Sequence, residues 1–259
     1  MSQDARSSAW SRREVLQLIG AGALASALPE VGSAAPPSFP KGAVIRTILK
    51  DYAPEEFAGG ATLFHEHLSF AEDFMTRWTA AAAATRAANG LPAAAGAGTA
   101  SRAGGSPPAA SSGPFFMKDF DLMSEELRIA KQEGVGCIVD AGHPDMGRDI
   151  GALRQLSMTS GMPIVAGAGL YTQPFYPREI SAMGEEPIAQ LLIKQVETDP
   201  VGVFGEIGSW DDMTAVERKV FRAIGRAHLA TNLSIFTHTG IPGKAALEQF
   251  AFCTCTSGS

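Results

Sequence analysis

From residue 116 onward, short apolar runs alternate with amphipathic segments. Residues 120–133 carry Leu122, Leu127 and Ala130 at helical spacing, and Gly134 ends the pattern. Residues 137–140 then form a short run of Cys, Ile and Val closed by Asp, which is typical of a buried strand. The pattern therefore predicts a helix followed by a strand.

The same alternation continues to the end of the chain. Further helices are predicted over 148–160, from Pro187, from the capping-box pair Thr214 and Glu217, and briefly from Pro242. Counting an earlier run, strands are predicted over 61–65, 137–140, 163–169, 201–206 and 233–237. Repeated strand–helix units with crossovers of this length predict an α/β fold, with a parallel sheet and helices outside it.

Composition supports a globular domain with one irregular insertion. The 259 residues are 45% hydrophobic and 19% charged, which excludes a disordered polyelectrolyte, collagen and a coiled coil. The formal charge of -6 argues against nucleic acid as a partner. Residues 79–114 are rich in Ala, Gly, Pro and Ser, so we predict a flexible surface loop or a partly helical excursion. The alanines at 80–84 could extend a helix from Phe74.

Residues 1–35 have the pattern of an export signal. Arg12 and Arg13 precede an apolar stretch from Leu16 to Leu28, which is too short to span a bilayer, and small residues follow it. The arginine pair with Leu16 resembles the twin-arginine signal. We expect a cleaved signal and a periplasmic or secreted protein that meets the membrane only during export. The alternative is an ordinary basic N-terminus beside a helix.

The three cysteines predict no disulfide framework. Cys137 lies in a strand-like run and is interpreted as a small buried hydrophobe. Cys253 and Cys255 are a poor metal site without further ligands nearby. We predict a domain over 36–252 and an irregular tail over 253–259.

Side chains that can bind metals fall at three strand ends. His65 and His67 have the two-residue spacing that points both imidazoles to one face of a strand, while Glu66 points away. Glu206 and His238 close two later strands, and the carboxyl ends of parallel strands share one edge. Imidazoles with a carboxylate suit zinc or a similar ion, and a carboxylate can bridge two cations. Taken singly, each could be an ordinary core, turn or rim residue.

The order of these motifs resembles that of phosphotriesterase-like hydrolases in the amidohydrolase superfamily. The matching segments are Arg46-Thr47-Ile48-Leu49, residues 61–68, Val139-Asp140, Gly147-Arg148-Asp149, Gly169-Leu170-Tyr171, residues 175–177, 205–208 and 237–240. The resemblance covers about residues 42–250. It implies a partial TIM-type (β/α) barrel, with about five of eight βα units, that holds two divalent metal ions, usually zinc, with a bridging hydroxide.

The resemblance also implies residue roles. His65 and His67 match the pair on the more buried metal, Glu206 matches the bridging position, and His238 matches the second metal. Tyr171 resembles the tyrosine that lines the pocket of lactonase-like members, or is a packing aromatic. The expected partners are a small-molecule ester, lactone or phosphotriester and a second copy in a homodimer.

Four other polar residues receive weaker interpretations. Arg148 and Asp149 match a family motif and are interpreted as an ion pair or a helix start. His143 follows the second strand, where it either faces the pocket or is a loop histidine. His228 lies in an amphipathic helix and is expected to be exposed.

Two ligands that the resemblance implies have no match in the sequence. Family members complete the second metal with a histidine after the sixth strand and ligate the buried metal with an aspartate after the eighth, and no residue after His238 matches either. We therefore expect a C-terminally truncated barrel. One alternative is an inactive fragment or a metal-binding pseudoenzyme. Another is a barrel deoxyribonuclease of the same superfamily, against which the acidic charge and residues 175–177 argue.

Overall fold

A computed structural model of the chain describes residues 38–88, 90, 115–210, 212–240 and 243–254. The predicted export signal lies outside these residues, as does residue 89 and the stretch 91–114 of the predicted insertion. None of the described helices is long and apolar enough to cross a membrane.

A five-stranded parallel sheet follows a small antiparallel hairpin. The hairpin strands are β1 (Ile45–Arg46) and β2 (Asp51–Tyr52). The sheet strands are β3 (Ala61–Glu66), β4 (Val135–Asp140), β5 (Ile164–Ala168), β6 (Val201–Ser209) and β7 (Ile235–Thr239). Every pairing in the sheet is parallel and the strand order follows the chain. A doubly wound sheet would reverse its order at a switch point, so this order is that of a barrel. The predicted five-strand partial barrel is confirmed.

Helices follow the strands as the sequence predicts. They are α1 (Phe74–Ala88), α2 (Phe120–Gln132), α3 (Ile150–Ser160), α4 (Glu185–Thr198), α5 (Ala215–Thr231) and α6 (Ala246–Thr254). Short 3-10 helices occupy Pro54–Phe57, Phe116–Lys118, Pro144–Met146, Gln173–Phe175 and Arg178–Ser181. These turns and the β1–β2 hairpin were not predicted, because they carry no hydrophobic period.

Local sequence explains where the helices begin and end. The predicted capping box opens α5, since the Glu217 amide donates to the Thr214 hydroxyl at 3.0 Å and the Thr214 amide donates to the Glu217 carboxylate at 2.9 Å. Asp149 caps α3 by accepting from the amide of Ala152, and Gly161 ends that helix with a φ of 70°. The interpretation of Asp149 as a helix start is confirmed.

One helix extends as the sequence predicts, and another begins and ends elsewhere than predicted. Helix α1 runs through the alanines at 80–84 to Ala88, so the helical excursion is confirmed as far as that residue. Helix α6 begins at Ala246 and reaches Thr254, so the first two residues of the predicted irregular tail are helical. Pro242, the predicted helix start, lies outside the described residues.

The core lies between the sheet and helices α2 to α5. Its fully buried members include Leu153 and Leu156 on α3, Leu192 on α4, Phe204 on β6 and Phe221 on α5, which the hydrophobic period places on the inner faces of these elements. Cys137 is buried as predicted, and burial raises the pKa of its thiol to about 11. Burial of these apolar faces stabilises the packing of the helices on the sheet, and so the relative positions of the strand ends.

Within the described residues, β3 and β7 each pair with a strand on one side only. Phe64 on β3 is 66% exposed, and Leu247 on α6, beside β7, is 82% exposed. The two sides of the sheet therefore present apolar side chains to solvent, in contrast to the buried strands between them.

Replacing Leu192 with alanine should lower the free energy of unfolding by about 2–5 kcal/mol, because the side chain is fully buried and leaves a cavity. The matched control is Leu229→Ala on α5, where the side chain is 59% exposed. That change should alter the free energy by less than about 0.5 kcal/mol. Equilibrium urea denaturation measures both, and equal losses would contradict the placement of the core.

Candidate metal centre

The carboxylate of Glu206 is the centre of a histidine cluster at the carboxyl ends of the strands. Its Oε2 atom lies 2.9 Å from Nε2 of His65 and 2.8 Å from Nδ1 of His238. Its Oε1 atom lies 3.3 Å from Nε2 of His67. The structure thus brings together all four residues that the sequence singles out as metal ligands.

The cluster stabilises a buried negative charge. Burial by itself raises the pKa of Glu206, but hydrogen bonds from His238, His65 and His67 outweigh it and hold the pKa well below its usual range. The hydrogen bond to Glu206 raises the pKa of His65, against an opposing effect of burial. Glu206 is therefore an ionised carboxylate surrounded by imidazoles.

Strand geometry explains why these side chains meet. His65 is in β3 and His67 follows it by one residue, and both rings face Glu206 as the alternation of a strand requires. Glu206 lies within β6, whose residues pair with those of β7 around His238. Gly205 has a φ of 149°, and a Cβ atom there would lie 2.7 Å from the ring of Phe236. A glycine before Glu206 is needed for this approach.

Three of the residues form a compact set of metal donors. One ligand atom each from His65, His67 and Glu206 lies within 4.8 Å of the others. His238 is outside this set; its Nδ1 lies 2.8 Å from Glu206, and its Nε2 lies 3.2 Å from the hydroxyl of Tyr171. Nδ1 of His67 is buried with no hydrogen-bond partner among the described residues. Two imidazoles and one carboxylate in this arrangement fit a divalent ion of the zinc type.

Tyr171 connects the cluster to α1. The indole N–H of Trp78 can only donate, so the Tyr171 oxygen accepts it at 2.9 Å. The tyrosine hydroxyl is then free to donate to Nε2 of His238. Burial raises the pKa of Tyr171, and the charge of Glu206 raises it further, so the hydroxyl stays protonated.

A cavity of about 330 Å³ opens above the cluster. Its walls are largely aromatic, and the rings of Phe70 and Phe74 stack with centroids 4.4 Å apart. The lining residues are His65, His67, Phe70, Phe74, Met75, Trp78, Met146, Tyr171, Glu206 and His238. Sequence reasoning placed Tyr171 here but missed the wall from α1. The spacing of Phe70, Phe74 and Trp78 by four residues was the available signal.

A larger cavity, about 460 Å³, lies away from this chemistry. It is formed by the β1–β2 hairpin and the segment between α4 and β6, and its lining includes Arg46, Lys50, Arg154 and Asp199. No histidine or cysteine is among its described lining residues. The smaller cavity, which contains the metal donors, is therefore the candidate active site.

One segment, residues 140–145, contacts the main chain at the end of β3 and in β6, two of the three strands that carry the cluster, and we name it the hub segment. The Asp140 carboxylate accepts from the amide of Leu68 at 2.7 Å. The Ala141 amide donates to the carbonyl of Glu66 at 2.8 Å, and the Ala141 carbonyl accepts from the amide of Glu206 at 3.0 Å. Burial raises the pKa of Asp140, opposed by the two amides that donate to its carboxylate. The hub segment thus links β3 to β6.

His143, in the hub segment, is neither a pocket residue nor a solvent-exposed loop histidine. The ring is fully buried, with Nε2 2.8 Å from the backbone carbonyl oxygen of Glu206 and Nδ1 2.7 Å from Oδ1 of Asp145. Oδ2 of Asp145 accepts from the amide of Tyr171 at 2.8 Å. The alternative that His143 faces the pocket is therefore wrong, whereas the loop histidine is confirmed, since His143 lies between β4 and the 3-10 helix Pro144–Met146. Its burial follows because the hub segment folds inward under the cluster.

Arg148 and His228 make contacts that stabilise the fold, and neither residue lines the cavity. Arg148 forms an ion pair with Asp199 at 2.7 Å and also donates to the carbonyl of Gly167, so it is part of an ion pair whose partner the sequence did not indicate. Burial lowers the pKa of Arg148, and the charge of Asp199 opposes this. His228 is half-buried, and its Nδ1 donates to the carbonyl of Leu233 at 2.7 Å. The expectation that His228 is exposed is wrong, because the chain turns back over the helix end.

Comparison with known proteins supports the resemblance. A model of the Phosphotriesterase family matches residues 53–256. N-acetyltaurine hydrolase of Danio rerio is 26% identical over 217 residues, covering 79% of this chain and 58% of that protein. The Tetraodon nigroviridis enzyme of the same name is 32% identical over 130 residues, covering 48% of this chain and 37% of the relative.

A solved structure shows the same fold. The phosphotriesterase homology protein from Escherichia coli, complexed with phosphate in its active site, superposes with a TM-score of 0.57 at 21% identity. The superposition covers 77% of this chain and 59% of that one. The chain therefore spans a little under three-fifths of the length of the Danio rerio relative and of the Escherichia coli protein.

Asp140→Asn should lower the free energy of unfolding by about 1–3 kcal/mol, because an amide nitrogen would replace one acceptor and leave a buried N–H unpaired. The matched control is Asp51→Asn, where an exposed carboxylate lies 3.8 Å from Arg46 and should contribute less than about 1 kcal/mol. Thermal and urea unfolding of the two variants give the comparison. If Asp140→Asn were as stable as the control, the hub segment would not constrain β3.

Proposed function

Because this chain belongs to the Phosphotriesterase family, we propose that its site is that of a metal-dependent hydrolase acting on a small ester, lactone or phosphotriester. The observation that carries the proposal is the convergence of three imidazoles on the buried carboxylate of Glu206 below an apolar cavity. The family match supports the class of reaction, and the geometry of the histidine cluster supports the position of the active site.

The four ligand residues would have different roles. His65 and His67 would hold one divalent ion, His238 would bind a second, and Glu206 would bridge the two. Imidazole and carboxylate donors favour zinc for both. Bound ions of this kind lower the pKa of a coordinated water and polarise the oxygen of the scissile bond.

The other residues of the cavity would bind and orient the substrate. The walls formed by Phe70, Phe74 and Trp78 would exclude water and hold an apolar group. Tyr171 would keep its hydroxyl proton, because burial raises the pKa of that group. The hydroxyl would then act as a hydrogen-bond donor at the mouth of the cluster, either to His238 or to a substrate oxygen.

The lining favours neutral substrates. It contains no Lys or Arg among the described residues, and its apolar walls would leave an anionic group that lies away from the metal ions without a partner. N-acetyltaurine, for which the fish relatives are named, is an amide that carries a sulfonate. We therefore place a neutral ester or lactone with an apolar chain ahead of such an amide for this chain.

A second candidate is a metal-binding protein without turnover. The chain has five histidines, and His143 and His228 are engaged with backbone carbonyls away from the cavity. His238 is then the one histidine left for a second ion. Such a protein would bind a single equivalent of zinc and hydrolyse none of the proposed substrates.

Export and assembly stay predictions from the sequence. The arginine pair Arg12 and Arg13 favours the twin-arginine route and a periplasmic or secreted location, which cell fractionation would test. A homodimer would be recognised by light scattering of the purified chain.

Removal of metal should abolish hydrolysis. We expect a chelator-treated protein to lose its lactonase and esterase activity and to regain it on addition of Zn²⁺ or Co²⁺. Glu206→Gln should weaken zinc binding by more than the roughly 100-fold that changes outside the ligand set cause. Metal analysis and assays on a lactone, an aryl ester and paraoxon measure these effects.

The control for this experiment is His228→Phe, which removes a histidine that bonds a backbone carbonyl far from the cavity. This variant should keep both metal and activity. One bound zinc with no turnover in the untreated protein would favour the second candidate. Less than one equivalent of metal would refute the metal-dependent proposal.

A series of lactones should show the apolar character of the cavity. Each added methylene should raise kcat/KM by up to about fourfold, since burial of a CH₂ group stabilises by about 0.8 kcal/mol. The gain should stop when the cavity of about 330 Å³ is filled. N-acetyltaurine should be the poorer substrate at equal concentration, and a higher kcat/KM for it would contradict the proposed preference.

A further inference from the structure

We propose that the buried pair His143 and Asp145 supports metal binding by positioning Glu206, the proposed bridging ligand, and Tyr171, the hydrogen-bond donor to His238. This inference rests on the proposed function of the cluster. Neither side chain lines the cavity, so the pair would act through the two residues that it holds. Both side chains are almost completely excluded from solvent, at 0% and 1% exposure.

The donor or acceptor character of each atom determines the direction of the hydrogen bonds made by His143 and Asp145. A carbonyl oxygen can only accept, so Nε2 of His143 donates to the Glu206 carbonyl at 2.8 Å. Nδ1 then faces Oδ1 of Asp145 at 2.7 Å, and one of these two atoms carries a proton. Oδ2 of Asp145 accepts the amide proton of Tyr171 at 2.8 Å. The pair therefore forms a continuous bridge from Glu206 to Tyr171.

The bridge adds a second hydrogen bond to the main chain of Glu206. The amide of Glu206 already donates to the Ala141 carbonyl at 3.0 Å. With His143 on the carbonyl, both polar groups of the Glu206 main chain are bound by the same hub segment. The side chain that would bridge the ions is thus fixed relative to β4 as well as to β7.

Burial and hydrogen bonding leave the imidazole little freedom to turn. The His143 ring is fully buried, and both of its nitrogen atoms have hydrogen-bond partners. The Tyr171 ring centroid lies 6.5 Å from that of His143. Rotation of the ring would therefore break hydrogen bonds in the protein interior, where no solvent replaces them.

The test measures Co²⁺ affinity and the visible spectrum of bound Co²⁺, which reports ligand geometry without requiring turnover. His143→Phe keeps the bulk of the ring but removes both nitrogen atoms. We expect the affinity to fall by about 10–100-fold, as is usual for groups that orient metal ligands, with a change in the spectrum. His228→Phe removes a similar imidazole-to-carbonyl bond elsewhere and should leave affinity and spectrum unchanged.

Two substitutions at Asp145 separate hydrogen bonding from charge. Asp145→Asn can donate to Nδ1 of a neutral His143 and still accept from Tyr171, so the affinity should change by less than about threefold. Asp145→Ala loses both bonds and should resemble His143→Phe. This comparison holds even if His143→Phe does not fold, because both variants remove the same charge.

The outcomes distinguish the two proposals. Wild-type affinity and spectrum in a folded His143→Phe, or equal behaviour of Asp145→Asn and Asp145→Ala, would overturn the positioning role and leave the metal site in place. A wild-type protein that binds no Co²⁺ would overturn the proposed function together with this inference.

Discussion

One carboxylate oxygen connects the first and the last strand of the sheet. Oε2 of Glu206 is within hydrogen-bond distance of His65 next to the end of β3 and of His238 in β7. In a flat sheet, strands 4.7–4.9 Å apart would place the first and fifth strands about 19 Å from each other. Two imidazoles reach one oxygen only if the sheet curls, so the contact requires the curvature of a half-barrel.

The curled sheet also determines what the carboxylate can do. Burial of an unpaired carboxylate is strongly unfavourable, and three imidazoles compensate for it here. Glu206 is 141 positions from His65 in the sequence and 32 positions from His238. The cluster therefore exists only in the folded chain, and its charge balance depends on the packing of the helices that hold the strands.

The repeated strand–helix units, and the two histidines with strand spacing, could be predicted from the sequence. Alternating periodicities placed five strands and their helices, and the two-residue spacing of His65 and His67 placed both rings on one face. Hydrophobic periodicity gave no signal for the hub segment, whose roles arise from contacts such as that between His143 and Glu206, 63 positions apart. A histidine in a short loop has the same local sequence whether it faces water or a buried carbonyl. The wall from α1 was missed for a different reason: Phe70, Phe74 and Trp78 do have a four-residue spacing, but the alanine run that follows Trp78 was interpreted as part of an irregular insertion.

Support for the site comes from an inner strand, while most of its ligands come from the sides of the sheet. His65 and His238 lie in β3 and β7, which pair on one side only within the described residues, and His67 directly follows β3. The hub segment begins at the last residue of β4, a strand paired on both sides, and it binds the main chain at Glu66 and at Glu206. A strand with two neighbours has less freedom to shift than a strand with one. Fixing Glu206 and the turn after β3 to β4 thus gives the ligands of the less constrained strands a common reference, which a site that needs sub-ångström placement of its donors requires.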